Sequence, residues 1–283
     1  MSGSIRPAPL IFEKGPMKLG IENQIAIVTG GSKGIGQQIS IALAKEGAVV
    51  AVCARASEAL KNTVQEIQAA GGKAEAFPVD VTKNVAVGEI VNQIAQKFGR
   101  VDILVNNVGG ALPPGDFLGL SDEDWRNTYE LNVMSVVRFI RSTVPYLRTS
   151  TRKRIINIAS ISGIQPGFYN PHYASSKAAV INLSKHLANV FAKEKILVNC
   201  ICPGPIPTPS WDSNLQRLSE EEHRPIQEIQ MRVEKEEQAK IPLGVLGKAS
   251  DVGALVAYLA SDHAGWITGS CFHINGGKLG AAL

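Results

Sequence analysis

The stretch from Gln24 to Gly36, QIAIVTGGSKGIG, decides the fold of this chain. Its first six residues form a short apolar run that ends at a pair of glycines, which is typical of a strand buried on both faces of a parallel sheet. The glycines permit a tight turn, and a helix that begins at Gly34 presents its N-terminal N–H groups to an anion. The order of strand, turn and helix therefore indicates a phosphate site. An ordinary tight connection is the alternative that the glycines alone leave open.

The same alternation of a short apolar run with a helical period continues along the chain. Parallel neighbours in a sheet need a crossover connection, so this rhythm predicts an α/β fold with a doubly wound, mostly parallel seven-stranded sheet and helices on both faces. Ligands of such sheets bind at the carboxyl ends of the strands. The predicted strands are 24–29, 49–54, 74–79, 101–106, 154–159, 197–202 and 270–274. The predicted helices are 34–46, 57–70, 85–98, 122–147, 172–192 and 250–261. Ser250 is expected to be the N-cap of the last helix.

Two segments lie outside this rhythm. Residues 1–23 are predicted to form an N-terminal arm, because their proline and glycine residues break any helical period, and residues 24–283 are predicted to form a single domain. Within that domain, residues 205–240 are first rich in proline and then helical and highly charged. An insertion at the carboxyl end of a strand is the expected position of a substrate lid.

The composition excludes several classes of protein. Of the 283 residues, 45 % are hydrophobic and 19 % are charged, and the net charge of +4 is not concentrated in one tract. Nucleic acid is therefore not expected as a partner. The apolar runs are far shorter than the roughly 20 residues that span a bilayer, and residues 1–20 lack the apolar core of a secretory signal. We expect no membrane association and a cytoplasmic location.

The cysteine pattern agrees with that expectation. The chain contains Cys53, Cys200, Cys202 and Cys271, and no two of them form a C-x-x-C pair. Cys200 and Cys202 alternate within a predicted strand, so their side chains share one face. We interpret the four residues as reduced core thiols, and no metal site is predicted.

The turn T-G-x-x-x-G-x-G between Thr29 and Gly36 resembles the cofactor turn of the short-chain dehydrogenase/reductase family. The resemblance extends over residues 24–278 and implies a Rossmann-type fold that binds a nicotinamide dinucleotide. The motif Asn-Asn-Val-Gly at 106–109 is similar to the family's Asn-Asn-Ala-Gly. For Asp80, a role in the local turn is the alternative to a contact with the cofactor. The implied cofactor contacts are Gly30, Ser32, Lys33, Gly34, Ile35 and Gly36, then Asp80 and Val81, Asn107 and Gly109, and finally Pro203, Gly204, Ile206 and Thr208.

The end of the second predicted strand indicates the type of cofactor. An NAD-specific site carries an acidic residue about 20 residues past the glycines, which binds the ribose 2′-OH. Here the strand ends at Arg55, and no acid appears before Glu58. Arg55 and Lys33 are cations that suit a 2′-phosphate, although each alone could be an ordinary surface cation. Together they predict NADP(H).

A second constellation indicates proton chemistry. Tyr173 and Lys177 are four residues apart and share one helix face, and a nearby ammonium lowers the pKa of a phenol. Tyr173 and Lys177 resemble the catalytic pair of the family, which also contacts the cofactor. By the same resemblance Ser160 is the catalytic serine, with Ser162 as the competing choice. Asn132 matches the family's structural and proton-relay asparagine, a mid-helix polar residue being the alternative.

The resemblance implies an NADP(H)-dependent oxidoreductase that interconverts a ketone or aldehyde with an alcohol, most similar to the 3-oxoacyl-(acyl-carrier-protein) reductases. Its partner is a small carbonyl or alcohol substrate. A redox-inactive NADP-binding sensor, a sugar, steroid or polyol dehydrogenase of the same family, and an epimerase or dehydratase are the alternatives. The side chains considered for the substrate pocket are Gly110, Gln165, Phe168, Tyr169, His172, Ile206 and Trp211.

Two predicted helices, 122–147 and 172–192, carry apolar residues on more than one side. One face of each must cover the sheet, and a second apolar face usually marks an interface. Family members similar to this chain pair these helices across a two-fold axis, so a homotetramer is expected. The alternative is that the arm, residues 1–23, folds back over the second face.

Overall fold

The computed structural model of the protein describes residues 18–280. Seven strands form one sheet in the order β3-β2-β1-β4-β5-β6-β7, and every neighbouring pair is parallel. The strand order reverses between β1 and β4, so the crevice at their carboxyl ends is the expected ligand position. The predicted fold class is confirmed. The strands are β1 Ile25–Thr29, β2 Val49–Ala54, β3 Lys73–Pro78, β4 Ile103–Asn106, β5 Arg154–Ile158, β6 Leu197–Pro203 and β7 Cys271–Ile274.

Helices cover both faces of the sheet. One apolar core lies between the sheet and helices α1, α2 and α9, and the other lies between the sheet and α3, α5 and α6. Side chains alternate along each strand, and both faces are apolar, which is why the strands read as continuous apolar runs. The helices are α1 Gly34–Lys45, α2 Glu58–Ala69, α3 Asn84–Phe98, α4 Asp122–Tyr129, α5 Ser135–Thr149, α6 Pro171–Phe191, α7 Pro209–Glu222, α8 Ile226–Gln238 and α9 Ala249–Ala260.

The helix predicted at 122–147 is not continuous. The segment Glu130–Met134 is a π-helical turn that separates α4 from α5. Such a turn holds one residue more than an α-helical turn and is frequent at functional sites. The buried side chain of Asn132 lies within it. The prediction of Ser250 as an N-cap was also wrong: α9 begins at Ala249, and Lys248 is the N-cap residue, whose N–H donates to the Asp251 carboxylate.

The packed body begins before residue 24, where the sequence analysis ended the arm. Ile21 is fully buried and belongs to the core under α1 and α9. The Leu19 carbonyl accepts a hydrogen bond from the N–H of Asp262, and the Gly20 carbonyl accepts one from the buried Arg152 guanidinium. Residues 1–17 of the predicted arm, and residues 281–283 of the predicted domain, lie outside the described residues.

The predicted insertion follows β6 and consists mainly of the two charged helices α7 and α8. Each buries a single large apolar side chain, Leu215 and Ile229. An ion pair between Glu237 and Lys278 ties α8 to the segment that follows β7. Nowhere between residues 18 and 280 is a helix long and apolar enough to cross a bilayer.

We expect the substitution Ile21→Ala to lower the free energy of unfolding by about 2–5 kcal/mol, because it leaves a cavity in a closed core. The control Leu118→Ala removes a side chain that is 92 % exposed and should change stability by no more than about 0.5 kcal/mol. Urea unfolding of the two variants measures the difference. Equal stabilities would show that Ile21 is not part of the core.

Candidate active site

The glycine turn lies at the carboxyl end of β1, at the reversal of strand order. Gly30 adopts a φ of +63°, and a Cβ at Gly36 would overlap the Gly30 carbonyl oxygen, so both positions require glycine. Helix α1 begins immediately afterwards and has no acidic residue in its first turn. Its first N–H groups lack intrahelical partners by geometry, and the helix dipole favours an anion at this end. The turn is therefore suited to a phosphate.

The loop after β4 is fastened to this turn. The Asn107 side-chain amide donates to the carbonyls of Thr29 and Gly30 at 3.1 and 3.2 Å, and the Asn107 N–H donates to the Thr29 hydroxyl at 2.9 Å. The loop that follows β6 also reaches the turn, because a Cβ at Gly34 would lie 3.4 Å from the Thr208 side chain. Three of the predicted cofactor segments thus meet at one edge of the sheet.

The two cations predicted to select the cofactor are both exposed. Lys33 is the N-cap residue of α1, and Arg55 follows β2. Within residues 18–280, neither of them forms a salt bridge. The Asp80 carboxylate accepts hydrogen bonds from the N–H and hydroxyl of Thr82, which lower its pKa, and Arg55 contributes a smaller effect. Asp80 therefore does have the local turn role that the sequence left open.

The Asn132 carboxamide connects the loop after β4 to helix α6. Its oxygen accepts from the Gly110 N–H at 2.9 Å, and its nitrogen donates to the Gly110 carbonyl at 2.9 Å and to the Ser176 hydroxyl at 2.8 Å. A Cβ at Gly109 would lie 2.6 Å from Lys177 Nζ, so the loop passes directly over that ammonium. The predicted proton-relay asparagine and lysine are thus brought together.

The buried Lys177 ammonium donates to the Ile158 carbonyl at 2.9 Å and lies 5.7 Å from the centre of the Tyr173 ring. Ser160 lies two residues after the end of β5, and its hydroxyl accepts from the N–H of Ser162 at 3.1 Å. The Ser160 side chain also lies near the phenol of Tyr173. The structure therefore places the four predicted catalytic side chains around one point, and Ser162 serves the local turn.

The electrostatics differ from the sequence-based expectation in one respect. Burial raises the pKa of Tyr173, and the neighbouring Ser160 side chain offsets this only in part. Burial also lowers the pKa of Lys177 to about 8. The expected lowering of the Tyr173 pKa by Lys177 is not the dominant effect, because both groups are desolvated and a desolvated ammonium loses its own proton more easily.

The entry to α6 shows contacts that the sequence analysis missed. His172 is fully buried; its Nε2 lies 2.9 Å from the Pro113 carbonyl, and its ring packs against Trp125. The Asn170 N–H donates to the Gly115 carbonyl, and the Gly115 N–H donates to the Asn170 side-chain oxygen, both at 2.9 Å. The packing of His172 therefore anchors the start of α6 next to Tyr173. The spacing of these residues over more than 50 positions gave no local signal.

The other residues considered for a substrate pocket surround this point unevenly. Phe168 is fully exposed, and Tyr169 lies 5.7 Å beneath the Arg217 guanidinium of α7. Gln165 accepts a hydrogen bond from the N–H of Gly280, close to the last described residue. Ile206 is buried, and Trp211 lies in the first turn of α7.

Comparisons with known proteins agree with this arrangement. The profile of the short chain dehydrogenase family matches residues 24–219. The chain is 31 % identical over 257 residues to the 3-oxoacyl-(acyl-carrier-protein) reductase FabG of Thermotoga maritima. The aligned residues cover 91 % of this chain and 98 % of that protein. The chain belongs to the short-chain dehydrogenase/reductase family, as its resemblance predicted.

Two solved structures extend the comparison to the fold. The crystal structure of L-sorbose reductase from Gluconobacter frateurii, complexed with NADPH and L-sorbose, matches with a TM-score of 0.88 and 32 % identity, covering 94 % of this chain and 100 % of that one. The Pseudomonas aeruginosa RhlG/NADP complex matches with a TM-score of 0.79 and 33 % identity, covering 92 % and 98 %. These complexes bear out the expectation of NADP(H) for relatives of this kind.

The depressed pKa of Lys177 has a consequence for stability. Between its folded pKa of about 8 and its ordinary value of 10.5, the unfolded chain binds more protons, so this group makes the protein more stable as pH rises through that range. Below pH 8 its destabilising effect is constant. Urea unfolding should therefore show wild type gaining stability relative to Lys177→Met from pH 8 to 10. The control Lys185→Met, at an exposed position of α6, should differ from wild type by a constant amount. Parallel profiles for both variants would contradict the assignment.

Proposed function

We propose that the protein is an NADP(H)-dependent reductase that interconverts a ketone or aldehyde with an alcohol, of the EC 1.1.1.- class. The observation that carries the proposal is the position of Ser160 beside Tyr173, with the buried Lys177 ammonium 5.7 Å from the centre of the Tyr173 ring and Asn132 behind them. A sensor of cofactor has no need of a proton donor supported in this way. The intact set therefore favours an enzyme over the redox-inactive alternative.

The residues present fit the proposed cofactor. The glycine turn and the N-terminus of α1 suit its pyrophosphate, since Gly30 and Gly36 permit the tight turn that leads into the first N–H groups of the helix. Lys33 and Arg55, which form no salt bridge within residues 18–280, are the candidate cations for a 2′-phosphate, and the loop from Pro203 to Thr208 would contact the cofactor beside the glycine turn. When bound, the nicotinamide supplies or accepts a hydride.

The chain's own residues handle the proton. In the direction of reduction, Tyr173 donates its phenolic proton to the substrate oxygen, and Ser160 orients that oxygen by a hydrogen bond. Lys177 stabilises the resulting phenolate and would hold the nicotinamide ribose when the cofactor is bound. Asn132 holds the main chain at Gly110 and provides a route for protons from solvent to Lys177. Raised pKa values at Tyr173 keep it protonated and ready to donate.

The substrate class is proposed from the relatives. The relatives include a 3-oxoacyl-(acyl-carrier-protein) reductase and a reductase crystallised with L-sorbose. We propose a 3-oxoacyl thioester as the first candidate and a keto-sugar as the second. A screen that follows NADPH absorbance with 3-oxoacyl thioesters, keto-sugars, diketones and ketosteroids distinguishes them. No turnover with any of these compounds would favour the sensor, epimerase or dehydratase alternatives.

Tyr173→Phe should lower kcat with the best ketone of that screen by about 10²–10⁴-fold, the usual contribution of a general acid. NADPH binding should remain nearly unchanged, because the ring stays in place. The measurement is steady-state NADPH oxidation together with a fluorescence titration of NADPH. Tyr146→Phe removes a phenolic hydroxyl that bonds only Asn92 on the surface, and should keep full activity. A near-normal kcat of the Tyr173→Phe variant would show that Tyr173 is not the proton donor.

Arg55→Asp should move cofactor preference towards NADH, because it removes a phosphate partner and adds an acceptor for the 2′-OH. Charge-assisted hydrogen bonds contribute about 1.5–3 kcal/mol, so the ratio of the two dissociation constants should change by roughly ten- to a hundred-fold. Lys61→Asp, an exposed position on α2 with the same change of charge, should leave that ratio unaltered. Equal affinity of the wild type for NADPH and NADH would refute the NADP(H) proposal.

We also propose that the protein assembles as a homotetramer. Two observations support this assembly. Helix α6 leaves Val190 half exposed, and Val133 and Val137 beside and within α5 are only partly covered. At the other end, β7 is an edge strand of the described sheet, and Trp266 nearby is 99 % exposed. Such apolar surfaces on different sides favour two separate interfaces.

Light scattering at micromolar concentration should give four times the mass of one 283-residue chain. Removing residues 1–17 should leave four chains per particle, because the proposed contacts are made by helices and by the edge of the sheet. A mass equal to a single chain would exclude the assembly. Fewer than four chains per particle after removal of the arm would show that the arm forms the interface.

A further inference from the structure

Strands β6 and β7 bring four metal-ligand side chains to one face of the sheet. In their parallel register, Cys200 lies opposite Cys271 and Cys202 lies opposite His273. Because side chains alternate along a strand, the two residues on each strand point to the same side, towards α6. The pattern C-x-C on one strand thus faces C-x-H on the next. The shared face of Cys200 and Cys202 was predicted from the sequence, whereas the pair Cys271 and His273 was not.

The sulfur atoms are already close together. The three thiol sulfurs all lie within 4.8 Å of one another, and those of Cys202 and Cys271 are 3.3 Å apart. A zinc–thiolate bond is about 2.3 Å long, so three thiolates around one ion are separated by about 4 Å. The observed spacing brackets that value. An ion therefore fits between the three sulfurs with side-chain adjustments only.

A fourth candidate ligand is carried by the same strand as Cys271. His273 lies two residues after Cys271, on the same face of β7 and opposite Cys202 in the register, so a change of its side-chain rotamer is needed to bring its imidazole to the three sulfurs. Three thiolates and one imidazole are a common ligand set for zinc, and thiolates in general select soft cations. Ordinary core cysteines pack singly among apolar side chains, as Cys53 does on β2, where it is buried in the core and remote from the cluster.

The position gives an ion a route of entry and a purpose. Cys200 and Cys202 are fully buried, whereas Cys271 and His273 are partly exposed on the edge strand. The loop Pro203 to Thr208 begins directly after Cys202, and Gly276 follows β7 by two residues. An ion between the strands would fix the origin of both loops, of which the first is proposed above to bind the cofactor.

We propose that Cys200, Cys202 and Cys271, with His273 as the fourth ligand, bind one soft divalent cation of the zinc class between β6 and β7. The thiols release their protons to solvent as thiolates form, so no oxidant or reductant is required. The site is structural: it clamps the edge strand of the sheet. It does not depend on the proposed reductase activity.

The test uses the full chain, freed of metal with a chelator and kept reduced with a phosphine. Titration with Cd²⁺, followed by the ultraviolet thiolate-to-cadmium absorption, and with Zn²⁺, in competition with a chromophoric chelator, should each give one ion per chain. The ion should also raise the midpoint of thermal unfolding. The variant Cys53→Ser, which removes the remote fourth thiol, should bind like wild type.

Two variants keep the result interpretable. Cys271→Ser should weaken Zn²⁺ binding by at least about a hundred-fold, and His273→Gln by about ten- to a hundred-fold, as loss of a ligand costs at least as much as loss of its supporting partner. Both positions are on the partly exposed edge strand, and far-ultraviolet circular dichroism checks their folding. Wild-type affinity in both variants, or absence of a bound ion in the wild type, would overturn the proposal. So would quantitative formation of a Cys202–Cys271 disulfide in metal-treated, non-reduced protein without retention of any ion.

Discussion

The carboxamide of Asn132 is the contact on which the site depends. It is fully buried in a π-helical turn and satisfies both backbone groups of Gly110 while it binds Ser176 on α6. Loss of that side chain would leave the partly buried N–H and carbonyl of Gly110 without these partners. Together with the contacts of Asn170 and His172 to Gly115 and Pro113, this side chain fixes the loop after β4 against the helix that carries Tyr173 and Lys177.

Around this contact, the parallel sheet determines the rest. All seven strands end at the same edge, so the glycine turn after β1, the loop after β4, Ser160 after β5 and the loop after β6 converge there without any long connection. Formation of the sheet itself therefore brings the candidate catalytic groups together, and no further loss of chain entropy is needed for it. This explains how residues as distant in sequence as Gly30 and Thr208 come to lie at the same edge of the sheet.

Much of this was predictable from the sequence, for identifiable reasons. The strands are short apolar runs because both faces are covered, and the Tyr173–Lys177 pair is local to one helical turn. The π-helical turn at Asn132 was not predictable, since its side chains show the same period as an α-helix. Ile21 was assigned to the arm because one apolar residue between glycine and polar neighbours carries no pattern. The meeting of Cys202 with Cys271, 69 residues apart, required the register of β6 and β7.

The central claim is that the Tyr173 site directs a hydride to a carbonyl carbon and a proton to its oxygen. The most direct measurement is a reaction with NADPH that carries deuterium at the transferable position of the nicotinamide, with the product analysed by mass spectrometry and NMR. The account predicts one deuterium per product molecule, bound to the carbinol carbon, and a hydroxyl proton that comes from solvent. Product without deuterium, or with deuterium at a carbon next to the carbonyl, would contradict it.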